Sequence, residues 1–223
     1  MSAFHKAGAL LLSSRDADLV SVAEIAKAAG KSVGSFYHRF ADKDLFLRAT
    51  IERTLRAAME QADEVLDAHV RLTEAASKVI RAASEHMVGV LHGLNAGVIR
   101  TAIKRSQLEP GAFEPVLHHR AAVADRLVEA LAPRTKKIDG LEQRIRTAVQ
   151  VAHATLIDVL LHKAGPLRDG QASLPERLAQ IMQATIGASD EDLPPRAIAR
   201  SQNRLAEEKG GKKERARKAR QFT

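Results

Sequence analysis

The chain contains no cysteine, no tryptophan and a single tyrosine among its 223 residues, and aromatic residues make up only 3% of it. Without cysteine there can be no disulfide, no thiolate nucleophile and no cysteine-based zinc site, and a reducing compartment fits. Long hydrophobic runs are missing too. The only apolar run near the start, "AGALLL" at 7–12, is too short for a secretory core, and nowhere do eighteen apolar residues follow one another. A cytoplasmic protein without a membrane partner is expected.

What is present is the balance of a folded chain, 45% apolar and 28% charged, long enough for a buried core and one or two domains. The net charge of +8 is unevenly spread. From Arg196 to Thr223 there are ten Lys/Arg and three Asp/Glu, which leaves 25 basic against 24 acidic residues in the rest. This basic end follows Pro194-Pro195, contains Gly210-Gly211 and lacks a regular apolar face, so residues 191–223 read as a disordered tail.

Before the tail the apolar pattern is helical nearly everywhere. Phe4, Ala7, Gly8, Leu11 and Leu12 form one stripe; Val22, Ile25, Ala26 and Ala29 a second; Val33, Phe36 and Phe40 a third; Leu47, Ile51, Leu55, Ala58 and Ala62 a fourth. Further helices are expected at about 72–93, 96–106, 112–132, 139–164 and 173–187, separated by Gly or Pro signals. No segment alternates as a strand would, and the expectation is an all-α protein of about nine helices.

The segment "GKSVGSFYHRF" at 30–40 concentrates three of the seven aromatic residues within five positions. Before it, "SVAE" at 21–24 fits a capping box, so a helix starts at Val22 and ends at Gly30, which suits a left-handed position. Ser32 then offers an N-cap for a short helix from Val33 to about Arg39, and Asp42 caps a long amphipathic helix after it. This is helix, tight turn, helix. Phe36 and Phe40, four apart, can pin a helix too short to stand alone. Ser32, Gly34, Ser35, Tyr37 and His38 then face outward, with small residues where a backbone must enter a groove of DNA.

Residues 21–49, "SVAEIAKAAGKSVGSFYHRFADKDLFLRA", resemble the DNA-binding domain of the TetR family of bacterial repressors. Ser21, Ile25, Ala26, Ala29, Gly30, Ser32, Gly34, Tyr37, Phe40, Lys43 and Leu45 stand at the family's spacing. The resemblance implies a three-helix helix-turn-helix domain at 1–48 and a helical ligand-binding and dimerisation domain at 49–190. It also implies that Ser21, Tyr37, Arg39 and Lys43 hold phosphates while Val33, Gly34, Ser35 and His38 face base edges; Lys31 adds positive charge beside DNA, and Ser32 completes the set. Direct readout looks weak without Arg, Asn or Gln on the recognition helix, so DNA shape is expected to share in specificity. Asp16 stands where the family's glycine often ends the first helix, and Asp tolerates the left-handed conformation expected there. Only three residues precede Phe4, short of the family's basic arm, so a start upstream of Met1 is expected.

In the second domain, His86, Met87, Phe113, Leu117 and His153 are candidates to line a ligand pocket. Residues 141–160 and 174–185 carry a broad apolar face, and in the family the corresponding helices form a four-helix bundle with a twin. This assigns a dimer interface to Leu141, Ile145, Val149, Ala152, Leu156, Leu160, Leu174, Leu178, Ile181 and Met182. The expected function is a non-enzymatic repressor that binds a palindromic double-stranded operator as a homodimer and is released by a small-molecule inducer, with no cofactor and no metal. The alternative is an all-helical metal-dependent enzyme using Glu114 with His118, or Asp158 with His162, each four apart on one helix face. Against it, neither HExxH nor a paired Glu-x-x-His pattern occurs.

Overall fold

The computed structural model describes residues 3–71, 75–107, 109–135, 137–162 and 165–195, so the expected basic tail from Arg196 onward lies outside the described residues. Among the described residues there are nine α-helices and no strand. They are α1 (Ala3–Ser14), α2 (Val22–Ala28), α3 (Val33–Tyr37), α4 (Lys43–Arg71), α5 (Ala76–Leu91), α6 (Ala96–Ser106), α7 (Glu114–Leu131), α8 (Leu141–His162) and α9 (Leu174–Ile186). None is long and apolar enough to cross a membrane among the described residues.

The first three helices close on the start of α4 around Phe36, which is fully buried. Its ring centroid lies 5.7 Å from Phe4, 5.2 Å from Phe40 and 5.2 Å from Phe46. A five-residue α3 cannot persist alone, and this ring cluster supplies the packing that holds it. Gly8 allows α1 to approach α4 closely: a Cβ there would sit 3.0 Å from Phe46 Cε1. Beside it His5 Nδ1 and the Thr50 hydroxyl share a buried hydrogen bond of 3.0 Å.

In the larger part, α5 packs against α4 and α9, and α8 against α7 and α9. Of the ten residues expected at a dimer interface, all but Ile181 are buried within this one chain. The reason is geometric. The stripe through Leu141, Ile145, Val149, Leu156 and Leu160 faces α9 and the other core helices, and the stripe through Leu174, Leu178 and Met182 answers it. The opposite face of α8 carries Val151 and Leu161, which are 37% and 40% exposed.

The two parts are joined in two ways. Helix α4 is continuous through residue 48, where a boundary was expected. Helix α6 also grips α1. Gly97, in the first turn of α6, is buried so closely against α1 that a Cβ on it would overlap the Leu12 carbonyl and lie 3.1 Å from Ser13 Cα. At the other end of α6, Lys104 Nζ reaches Asp16 at 2.9 Å and Arg105 reaches Asp44 at 2.7 Å and Glu109 at 2.9 Å. Asp16 corrects a sequence expectation, because it is extended (φ −65°, ψ 141°) rather than left-handed. Its carboxylate is used in the bridge to Lys104, whose ammonium holds the Asp16 carboxyl below its usual range.

Candidate nucleic-acid interface

The local chemistry of 21–45 explains why its helices start where they do. The Glu24 amide donates to the Ser21 hydroxyl at 3.2 Å and the Ser21 amide to the Glu24 carboxylate at 2.8 Å, which completes the capping box. The same carboxylate pairs with Arg15 at 2.6 Å. Arg15 first, then the Ser21 amide and hydroxyl, hold the Glu24 carboxyl down to about 2. The turn closes at Gly30 with φ +64°, a left-handed conformation that a side chain would strain. Ser32 caps α3 by accepting from the Ser35 amide at 3.1 Å, and Asp42 caps α4 by accepting from the Leu45 amide at 2.7 Å. Helix α3 ends two residues before the expected Arg39, but the Arg39 and Phe40 amides both donate to the Phe36 carbonyl at 2.9 Å, so the turn continues.

With Phe36 facing inward, the rest of α3 faces out. Val33, Gly34, Ser35, Tyr37, His38 and Arg39 are exposed, as are Lys31 and Ser32, while Lys43 is half-buried at the start of α4. Tyr37 packs its ring edge-on against Phe36, 5.4 Å between centroids, and remains 53% exposed. A Cβ on Gly34 would find only Ser32 Oγ, 3.8 Å away, so backbone and solvent meet there. Ser21 is also exposed, but its hydroxyl already donates to Glu24 at 2.8 Å and has no second proton for a phosphate.

The five expected ligand residues lie outside the two larger clefts, of about 770 and 500 Å³. His86, Met87 and His153 are buried, Phe113 is half-buried, and Leu117 is exposed. Instead the structure gathers a histidine cluster that the sequence reading only partly named. His86 Nε2 on α5 meets His119 Nε2 on α7 at 2.8 Å with their rings stacked, and His153 on α8 lies close enough to bear on His119. His119 Nδ1 and His153 Nε2 have no hydrogen-bond partner among the described residues. No group of three His or carboxylate residues among the described residues has metal-holding geometry. Of the carboxylate–histidine pairs, Asp158 and His162 do meet, at 2.8 Å on the exposed side of α8.

The cluster makes stability depend on pH. Burial, then the His86 and His153 rings, push the His119 imidazole down to about 3; burial, then the Arg120 guanidinium, push His153 down to about 4. Both are therefore neutral in the folded chain near pH 7, whereas in the unfolded chain they protonate at the ordinary value of 6.5. Stability should be fully present above that value and fall as pH drops toward 4, by about 2 kcal/mol per histidine at about pH 5. Denaturant unfolding near pH 7 and about pH 5 measures the decline, and His119→Gln should remove roughly half of it. An undiminished decline in that variant would clear the cluster of responsibility.

A solvent-facing short helix held by its predecessor across a left-handed glycine turn is the arrangement of a helix-turn-helix. Residues 5–50 match the family model described as bacterial regulatory proteins, tetR family. The match spans α1 to α3 and the start of α4, about a fifth of the chain. Among solved structures the chain is similar to a protein from Mesorhizobium loti assigned to the TetR-family transcriptional regulators, at 17% identity over 83% of this chain and 94% of that one, with a TM-score of 0.61. It is also similar to a transcriptional regulator from Rhodococcus sp. Rha1, at 19% identity over 84% and 95% with a TM-score of 0.57. A third similar structure is FadR from Bacillus subtilis in complex with stearoyl-CoA, at 15% identity over 82% and 96% with a TM-score of 0.50. At these identities the likeness is one of fold. No match was found among curated proteins.

Proposed function

We propose that the chain is a ligand-responsive transcriptional repressor that reads a palindromic operator as a homodimer and leaves it when a small-molecule inducer binds the larger part. The observation that carries this reading is the outward face of α3, where Val33, Gly34, Ser35, Tyr37 and His38 stand free while Phe36 anchors the helix from behind. Val33 would touch a thymine methyl and Ser35 a base edge, with Lys31, Tyr37, Arg39 and Lys43 on phosphates. The twin would be met through the outward faces of α8 and α9, among them Val151, Ala154 and Leu161, rather than through the apolar stripes used in the core. Two copies would then present two α3 helices to successive major grooves.

The test is Gly34→Leu. A leucine there projects into open space in the free protein and suits a helix better than glycine, so the melting temperature should not fall. In the complex it would hold α3 away from the bases and weaken operator binding roughly a hundredfold, the order of two base contacts. A mobility shift on duplexes selected from a random pool measures it. Equal affinity in parent and variant would remove α3 from the interface.

A further inference from the structure

The cleft of about 770 Å³ is walled by α1, α4, α5 and residues 169–175, a volume in the range of small-molecule sites. Its apolar wall is built by Ala9 and Leu10 of α1, Ala57 and Ala58 of α4, and Val88 of α5, with Leu174 beyond them. Leu10 is 68% exposed, an apolar side chain left uncovered at the rim of an apolar hollow. Thr54 belongs to the same wall, and its buried hydroxyl has no hydrogen-bond partner among the described residues.

The charge of the lining narrows the ligand. No Lys or Arg contributes to it among the described residues, and its one carboxylate, Asp169, is already engaged by His92 Nδ1 at 2.9 Å. The other nitrogen of His92 meets the Leu156 carbonyl at 3.0 Å, so the ring ties the 169–175 segment to α8 and the end of α5. An anion would find no counter-charge in this cleft, and a cation would have to break that tie. By contrast, the cleft of about 500 Å³ between α4 and α7 sets Arg48, Glu52, Arg56, Glu60, Asp63 and Glu114 beside Met59 and Pro115, so a charged ligand would find partners there. Helix α1, which with α2, α3 and the start of α4 makes up the reading head, is fixed against Gly97, so an occupant of the first cleft presses directly on a helix of that head.

We propose that this cleft is the effector site, that it takes an uncharged, largely apolar molecule with one hydrogen-bonding group, and that α1 carries the signal; the proposal rests on the regulator reading above. Gly89 provides the test, since it lines the cleft from within α5 and a Cβ on it meets nothing within 4 Å. Gly89→Phe fills the hollow without disturbing the core, and Ala121→Phe, on the exposed side of α7, serves as control. The neutral dye Nile red is titrated into the full chain. Gly89→Phe should raise its Kd at least tenfold with an unchanged melting temperature, while the control leaves Kd unchanged; in the parent, saturating dye should weaken binding to the selected duplex, and in Gly89→Phe it should not. Equal dye affinity in Gly89→Phe and parent overturns the site. Anionic anilinonaphthalene sulfonate binding there as tightly as Nile red overturns the charge assignment, and dye bound in the cleft with DNA affinity unaltered overturns the effector role. If the unliganded protein binds no DNA at all, the regulator reading fails, and the Gly89→Phe dye titration still judges the cleft.

Discussion

Gly97→Ala should destabilise the chain by about 3 kcal/mol and loosen the reading head, although it adds one methyl group to a helix that would otherwise welcome it. The methyl would have to occupy space filled by the Leu12 carbonyl, which is backbone and cannot rotate away as a side chain can. Either α1 lifts from α6 or the first turn of α6 distorts. Lifting α1 would move Phe4 and Leu12 out of the core and strain the bridge between Lys104 and Asp16. Urea unfolding gives the stability change, and retention on the selected duplex gives the functional one. Unchanged values in both would show that α1 does not rest on α6 at this point. Gly89→Ala in the preceding helix is the natural comparison, because its Cβ falls in open space and should stabilise or leave stability unchanged.

Phe36→Ala should be costlier, about 4 kcal/mol, in the range for truncating a buried phenylalanine. The ring is fully buried and touches Phe4, Tyr37, Phe40 and Phe46, so its loss opens a cavity bordered by α1, α3 and α4. With five residues, α3 has almost no stability of its own to fall back on. DNA binding should vanish together with the structure of the head, whereas Gly34→Leu removes binding from an intact head. Protease resistance of residues 1–45 separates the two. Phe36→Leu, which keeps most of the volume, should recover much of the loss. A stable, DNA-binding Phe36→Ala protein would mean that α3 is held by something other than its aromatic anchor.

The helix-turn-helix was legible because its signals are local. Capping hydroxyls, a left-handed glycine and aromatic residues four apart are fixed by nearest neighbours along the chain, and Ser21, Gly30, Ser32 and Asp42 take up those roles. Helix boundaries in the larger part were legible for the same reason, to within a few residues. What the sequence could not show was which way an apolar stripe faces. Val149 and Leu156 look alike whether a sister helix or a twin covers them, and only the position of α9 decides that they are core. The effector cleft was invisible for a related reason. Thr54, Gly89, His92 and Asp169 lie on three distant stretches with no motif among them, and His119 was one histidine of several until the fold set it against His86. Gly97, a glycine at the start of a helix expected over 96–106, proves to be a point of contact between helices.

Tyr37 is the only tyrosine of the chain, and there is no tryptophan anywhere in it. The ultraviolet emission of the protein under tyrosine excitation therefore comes from one side chain, and that side chain stands half in solvent on α3 with its ring against Phe36. Nature has left a single fluorophore on the surface proposed to meet DNA. Docking onto a duplex would stack or quench this ring, detachment of α3 would free it to tumble, and filling a remote cleft would alter its anisotropy only if the disturbance travels through α1. The protein can thus be followed in solution with no label, each spectrum reporting one known position.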